Sequence, residues 1–161
     1  MNPLRWSFRA LMLLGACVCL ALVGFAFYTQ LAWGLEPCAL CVRQRMAYLA
    51  LAGVFVVAGL WAPTNAGGRK ALGLLTACVA FAGAGVAGYQ IWLKFFPPQM
   101  PVCKFQFMDL EPSLWQRFST PTVECGASDW AFLGLSMPVW SLVWFLLLAA
   151  VALFAGLRTR R

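Results

Sequence analysis

The chain contains no histidine, and only 11% of its 161 residues are charged. An ordinary soluble domain carries about a quarter charged residues, so a water-soluble fold is excluded by composition. Without histidine, a zinc site lacks its usual nitrogen ligand, which disfavours one here. Acids are scarcer than bases, with five Asp and Glu against twelve Lys and Arg and a formal net charge of +7. Alternation of polar and apolar residues is also missing from the long apolar stretches, which excludes barrel strands. Backbone groups in lipid must be satisfied internally, so a helix bundle is the remaining architecture.

What is present are four stretches free of Asp, Glu, Lys and Arg, at residues 10–28, 46–62, 71–93 and 139–157. Each is close to the ~20 residues a helix needs to cross hydrocarbon. The first exceeds the apolar core of a signal peptide, and no small-residue cleavage site follows it, so it reads as a retained helix. The expected fold is an all-α integral membrane protein, a single four-helix unit over residues 1–161. Its outer loops span about 29–45 and 94–138, and its inner loop about 63–70.

Orientation follows from the basic residues, which collect in short cytoplasmic segments. Arg5, Arg9, Arg69, Lys70, Arg158, Arg160 and Arg161 fall on one side. Arg43, Arg45, Lys94, Lys104 and Arg117 fall on the other, with all five acids: Glu36, Asp109, Glu111, Glu124 and Asp129. The second side is neutral, so the whole net charge sits on the first, assigned to the cytoplasm together with both termini. The basic balance thus reflects topology and contact with anionic lipid, and not nucleic-acid binding.

The long outer loop opens with Phe95-Phe96-Pro97-Pro98-Gln99-Met100-Pro101. Three prolines there favour an extended backbone. Phe107, Leu110, Leu114 and Phe118 then recur at helical spacing beside Trp115, and Pro112 suits a first helical turn, so a short helix on the membrane surface is expected. Trp33, Trp92, Trp130, Trp140 and Trp144 cluster near the outer boundary, and Trp6 and Trp61 near the inner one, as interfacial anchors do. Ala80, Ala84 and Gly88 repeat at four-residue spacing, a pattern that admits a close helix neighbour.

Seven cysteines divide by depth. Cys17, Cys19 and Cys78 lie inside apolar stretches, where a thiol behaves as a small apolar side chain. Cys38, Cys41, Cys103 and Cys125 fall on the outer side, where disulfides persist. Four cysteines allow three connectivities, and spacing selects none of them. Cys38-Ala39-Leu40-Cys41 stands directly before the second helix, which puts Cys41 at the positive end of a helix dipole that favours a thiolate. Arg45 follows on the same face, one turn deeper. A guanidinium there suits both that thiolate and a quinone carbonyl. Snorkelling to a lipid phosphate is the plain alternative for Arg45, and the reading retained for Arg43. Cys103 and Cys125, 22 residues apart in the long loop, either staple that loop or form an exchangeable disulfide. The extended Met100-Pro101-Val102 run before Cys103 suits a partner's groove.

The four helices, Cys38-Ala-Leu-Cys41 with Gln44-Arg45 behind it, the distant Cys103 and Cys125, and Trp130-Ala-Phe-Leu-Gly-Leu-Ser-Met-Pro138 together resemble the DsbB family of bacterial disulfide-bond oxidases. The resemblance covers nearly the whole chain. It implies a quinone-dependent thiol oxidase of the inner membrane that reoxidises the periplasmic dithiol protein DsbA, with ubiquinone or menaquinone as acceptor. It also implies Cys38, Cys41, Cys103 and Cys125 as catalytic residues on the periplasmic side, Cys41 and Arg45 as quinone contacts, no metal, and resting pairs Cys38 with Cys41 and Cys103 with Cys125. The chain departs from the family where Gln44 stands for a frequent Glu, and where Gln90 occupies the region of a His near the outer end of the third helix.

Three rivals stand beside this reading. A vitamin K epoxide reductase type of quinone oxidoreductase also couples four cysteines to a quinone, but carries its C-x-x-C towards the last helix. A metal-binding or transporting four-helix membrane protein would use the outer cysteines as reduced ligands. A purely structural tetraspan would hold two inert disulfides.

Overall fold

The computed structural model describes residues 7–34, 38–96, 131–132 and 134–158. Four long helices account for nearly all of them: α1 (Phe8–Trp33), α2 (Ala39–Trp61), α3 (Ala66–Phe95) and α4 (Met137–Leu157). All four are long and apolar enough to cross a membrane. At ~1.5 Å per residue their 21 to 30 residues match or exceed the ~30 Å hydrocarbon core.

The helices outrun the uncharged stretches. α1 begins before Arg9, α2 takes in Arg43 and Arg45, and α3 takes in Arg69 and Lys70. Charge does not end a helix; caps do. The Ser7 hydroxyl accepts from the Ala10 amide at 3.2 Å to start α1, and Gly34 closes it in the left-handed conformation. Cys38 starts α2, its sulfur accepting from the Cys41 amide at 3.3 Å. Pro138 sits in the first turn of α4, where a missing N–H costs nothing.

Before α4, β1 (Ala131–Phe132) and β2 (Leu135–Ser136) pair antiparallel, Ala131 opposite Ser136 and Phe132 opposite Leu135. This small hairpin was not among the expected elements, although Gly134, with φ +78°, marks the turn. The expected surface helix of the long loop lies outside the described residues, as do Cys103 and Cys125.

α3 packs along α4, α1 along α2, α2 along α3, and α1 also meets α4, which closes the bundle. Its centre is filled by Met12, Leu51, Phe55, Thr76 and Phe145. The Tyr48 ring stacks on Phe145 with centroids 4.0 Å apart, and its hydroxyl donates to the Ser141 carbonyl at 3.1 Å. The outside of the bundle is equally apolar, with Leu14, Leu60, Leu74, Phe81 and Leu147 exposed, as lipid contact requires. Trp33, Trp61 and Trp92 are exposed at helix ends.

The α3–α4 seam depends on missing side chains. A Cβ on Gly73 would meet the Ala152 carbonyl oxygen and the Gly156 Cα at 2.8 Å. From Gly73 the buried line on α3 runs through Ala77, Ala80, Ala84 and Ala87, alternating steps of four and three. The stripe expected at Ala80, Ala84 and Gly88 therefore turns aside at its end, since a Cβ on Gly88 would meet nothing within 4 Å. A strict four-residue step drifts off a helix face that repeats every 3.6 residues.

Candidate redox site at the head of the second helix

Short connections make α1, α2 and α3 successively antiparallel, and α4 runs antiparallel to α3, with Arg69 against Arg158, Gly73 against Gly156 and Gly83 against Phe145, so the C-terminal ends of α1 and α3 meet the N-terminal ends of α2 and α4 at one end of the bundle. Cys38 and Cys41 lie at this end. Cys38 is fully buried as the cap of α2, and Cys41 is half-buried in its first turn. One helical turn folds the C-x-x-C back on itself, and the two sulfurs lie 2.8 Å apart, Cys38 donating to Cys41. That proton donation, followed by burial, raises the Cys38 thiol above its ordinary value, so Cys38 holds the proton in the reduced pair. The pair thus has the proximity that opening and closing a disulfide demands.

Leu40, Leu93 and Val86 form an apolar wall around these sulfurs. Polar groups enter from two sides. From α2, buried Arg45 reaches towards α1, donating from Nη1 to the Gln30 amide oxygen at 2.6 Å and from Nη2 to the Ala26 carbonyl at 3.2 Å. From α3, buried Gln90 donates from Nε2 to both Cys38 Sγ and Cys41 Sγ, each at 3.3 Å, while its oxygen accepts from Gln44 Nε2 at 2.6 Å.

Of the residues expected at the site, the fold brings together Cys38, Cys41 and Arg45. Cys103 and Cys125 lie outside the described residues. The sequence-based reading gave Arg45 no partner on α1 and gave Gln90 no contact with sulfur. A buried glutamine in an apolar helix was the available signal, since an amide in lipid needs partners. The other cysteines stand apart from this chemistry: Cys19 is buried in the core, and Cys17 and Cys78 are exposed along their helices.

Four membrane-crossing helices with a C-x-x-C capping one of them, its sulfurs adjacent and an arginine behind, define a multi-pass membrane protein of thiol–disulfide chemistry. Comparison with known proteins narrows the class. A profile described as "Disulfide bond formation protein DsbB" matches residues 8–155. "Disulfide bond formation protein B" of Xanthomonas euvesicatoria pv. vesicatoria (strain 85-10) is 46% identical over 167 aligned positions, covering 100% of this chain and 97% of that protein. The protein of the same description from Xanthomonas campestris pv. campestris (strain 8004) is 45% identical, covering 99% of this chain and 96% of that protein. That from Xylella fastidiosa (strain Temecula1 / ATCC 700964) is 41% identical, covering 100% and 96%. The chain belongs to the DsbB family of disulfide bond formation proteins.

Proposed function

We propose that this protein reoxidises a DsbA-like periplasmic dithiol protein and passes the two electrons to a membrane quinone, ubiquinone or menaquinone. The carrying observation is the adjacency of the Cys38 and Cys41 sulfurs at the head of a membrane helix, with Arg45 one turn deeper. Charge asymmetry supports an inner-membrane topology with both termini cytoplasmic and the active cysteines periplasmic. Arg69 and Arg158 meet at the end opposite Cys38, where Arg69 Nη2 donates to the Arg158 carbonyl at 2.9 Å.

The donor set fits a quinone. Its ring requires an apolar wall, which Leu40, Val86 and Leu93 supply, and its carbonyl oxygens require donors, which Arg45 supplies. Cys41 and Arg45 are the residues that would hold it. When bound, a quinone supplies an acceptor for two electrons and two protons. The rest is sulfur exchange within the protein. A DsbA thiolate attacks Cys103, which frees Cys125. Cys125 attacks Cys38, and Cys41 leaves as the thiolate, stabilised by its place at a helix N-terminus. DsbA lies at about −120 mV and ordinary structural disulfides below about −300 mV, a gap worth ~8 kcal/mol for two electrons. Either destabilised disulfides or a transfer drawn forward by the acceptor closes that gap, and both are expected here.

Family membership and the placing of the C-x-x-C before α2 favour this reading over a vitamin K epoxide reductase type of enzyme. The test is anaerobic mixing of purified, detergent-solubilised protein with reduced DsbA and ubiquinone, following quinone absorbance beside a Cys41→Ser control. Stoichiometric quinol formation that is absent from the control is expected. No quinol, with DsbA still reduced, would overturn the reading, and metal analysis of the same sample would then test the metal-binding alternative.

A further inference from the structure

Gln90 belongs to a helix that contributes no cysteine to the pair, yet its side-chain nitrogen lies 3.3 Å from both redox sulfurs. It is 4% exposed. The two sulfurs are close enough together to lie in one direction from that nitrogen, so they share its donation as a three-centre bond. The sulfurs set its orientation. A disulfide sulfur or a thiolate only accepts, so the nitrogen faces the sulfurs. The amide oxygen then faces Gln44, which is 5% exposed and donates to it at 2.6 Å. Gln44 is thus a positioning residue that engages the far side of the Gln90 amide and holds it beside the sulfurs. Arg45 donates to Gln30 and Ala26 on α1, so α1 and α3 each furnish the pair's surroundings with a separate polar anchor.

We propose that Gln90 is a catalytic residue of the Cys38–Cys41 couple, donating to the sulfur that carries negative charge when the disulfide opens, with Gln44 holding it in register. The proposal rests on the redox reading above for its purpose, but its effect on the couple is measurable without DsbA or quinone. In the exchange step an attacking thiolate forms a bond to Cys38 as the Cys38–Cys41 bond breaks. The negative charge passes from the attacker to Cys41, with no external electron or proton. A hydrogen bond to an anion is about twice as strong as one between neutral groups. Gln90 therefore favours the open, thiolate-bearing state over the disulfide and makes the couple more oxidising. It also makes Cys41 the better leaving group, which directs attack to Cys38. The amide does not titrate, so its contribution follows the thiolate form of Cys41 alone.

The test is the equilibrium of the Cys38–Cys41 couple with glutathione redox buffers, under anaerobic, quinone-depleted conditions, read by acid trapping, alkylation and peptide mass. The proteins compared are the full chain, Gln90→Met, Gln90→Leu and Gln44→Met, each first checked for helical content in detergent. Both Gln90 variants are expected to be at least tenfold harder to reduce, about 30 mV for two electrons, with iodoacetamide labelling of reduced Cys41 at pH 7 slowed by a similar factor. Gln44→Met is expected to shift both readings the same way by a smaller factor, and it carries the test if the Gln90 variants do not fold. Couples within twofold of the unmodified chain in every folded variant would overturn the proposal. If the unmodified chain forms no quinol while the couples still shift, the functional reading falls and the role of Gln90 stands. Quinol formation with unmoved couples removes the role of Gln90 alone.

Discussion

Arg45 and Gln30 join the second helix to the first through a 2.6 Å hydrogen bond between a guanidinium nitrogen and an amide oxygen, fifteen positions apart in the chain. With the 3.2 Å bond to the Ala26 carbonyl, this anchors a buried cation beneath the Cys38–Cys41 pair.

Arg45 uses two nitrogens on two acceptors, a geometry that an ammonium does not reproduce. Arg45→Met and Arg45→Lys are both expected to raise the KM for ubiquinone or lower the rate of quinol formation by about tenfold or more, the scale of a lost hydrogen bond to a charged group. Steady-state kinetics over a quinone series checks this. A Lys variant with unchanged kinetics would show that charge alone suffices.

Disulfide exchange in two stages separates the cysteines by role. Cys103→Ser is expected to abolish oxidation of reduced DsbA, while the Cys38–Cys41 pair still forms its disulfide when ubiquinone is added to the reduced protein. Thiol trapping resolved by peptide distinguishes the two. Equal loss of both reactions would contradict the assigned order.

The α3–α4 seam gives a paired stability prediction. Gly73→Ala puts a methyl 2.8 Å from the Ala152 carbonyl oxygen and is expected to destabilise by about 1–3 kcal/mol, the usual range for overpacking. Gly88→Ala meets nothing within 4 Å and is expected to be neutral or stabilising by up to about 1 kcal/mol, because alanine is the better helix former. Thermal unfolding in detergent, followed by circular dichroism, should place the two midpoints on opposite sides of the unmodified chain or leave only Gly73→Ala shifted.

At the far end of the bundle, Arg69 Nη2 donates to the carbonyls of Arg158 at 2.9 Å and Ala155 at 3.5 Å, and its guanidinium lies 5.3 Å from the centre of the Phe8 ring. It thus caps the C-terminus of α4 with a positive charge, where the helix dipole favours one. Arg69→Met is expected to speed amide exchange in the last turn of α4 by about tenfold, the scale of a lost charged hydrogen bond, with little change at Cys38 and Cys41. Hydrogen exchange with peptide-level mass readout measures both ends in one experiment.

Four apolar stretches, a near-absence of charge between their ends, and a C-x-x-C beside one of them suffice to specify four membrane helices and a redox-capable cysteine pair, because lipid leaves the backbone few alternatives. Arg45 was visible for the same reason: a cation one turn inside a membrane helix demands explanation. The ends of the helices were less visible, since arginines interrupt an apolar run without interrupting a helix, and the true start of α2 is set by the Cys38 cap. Gln90 was visible only as a polar residue in an apolar stretch. Its amide reaches the sulfurs across 49 and 52 positions, and such a contact is decided by how α3 packs on α2. The turn from Gly88 to Ala87 along the α3 stripe has the same origin. Local chemistry sets which segments enter the membrane and where their caps lie. The rotation of one helix against another, fixed by which small residues allow backbones to touch, decides which polar side chains face the sulfurs.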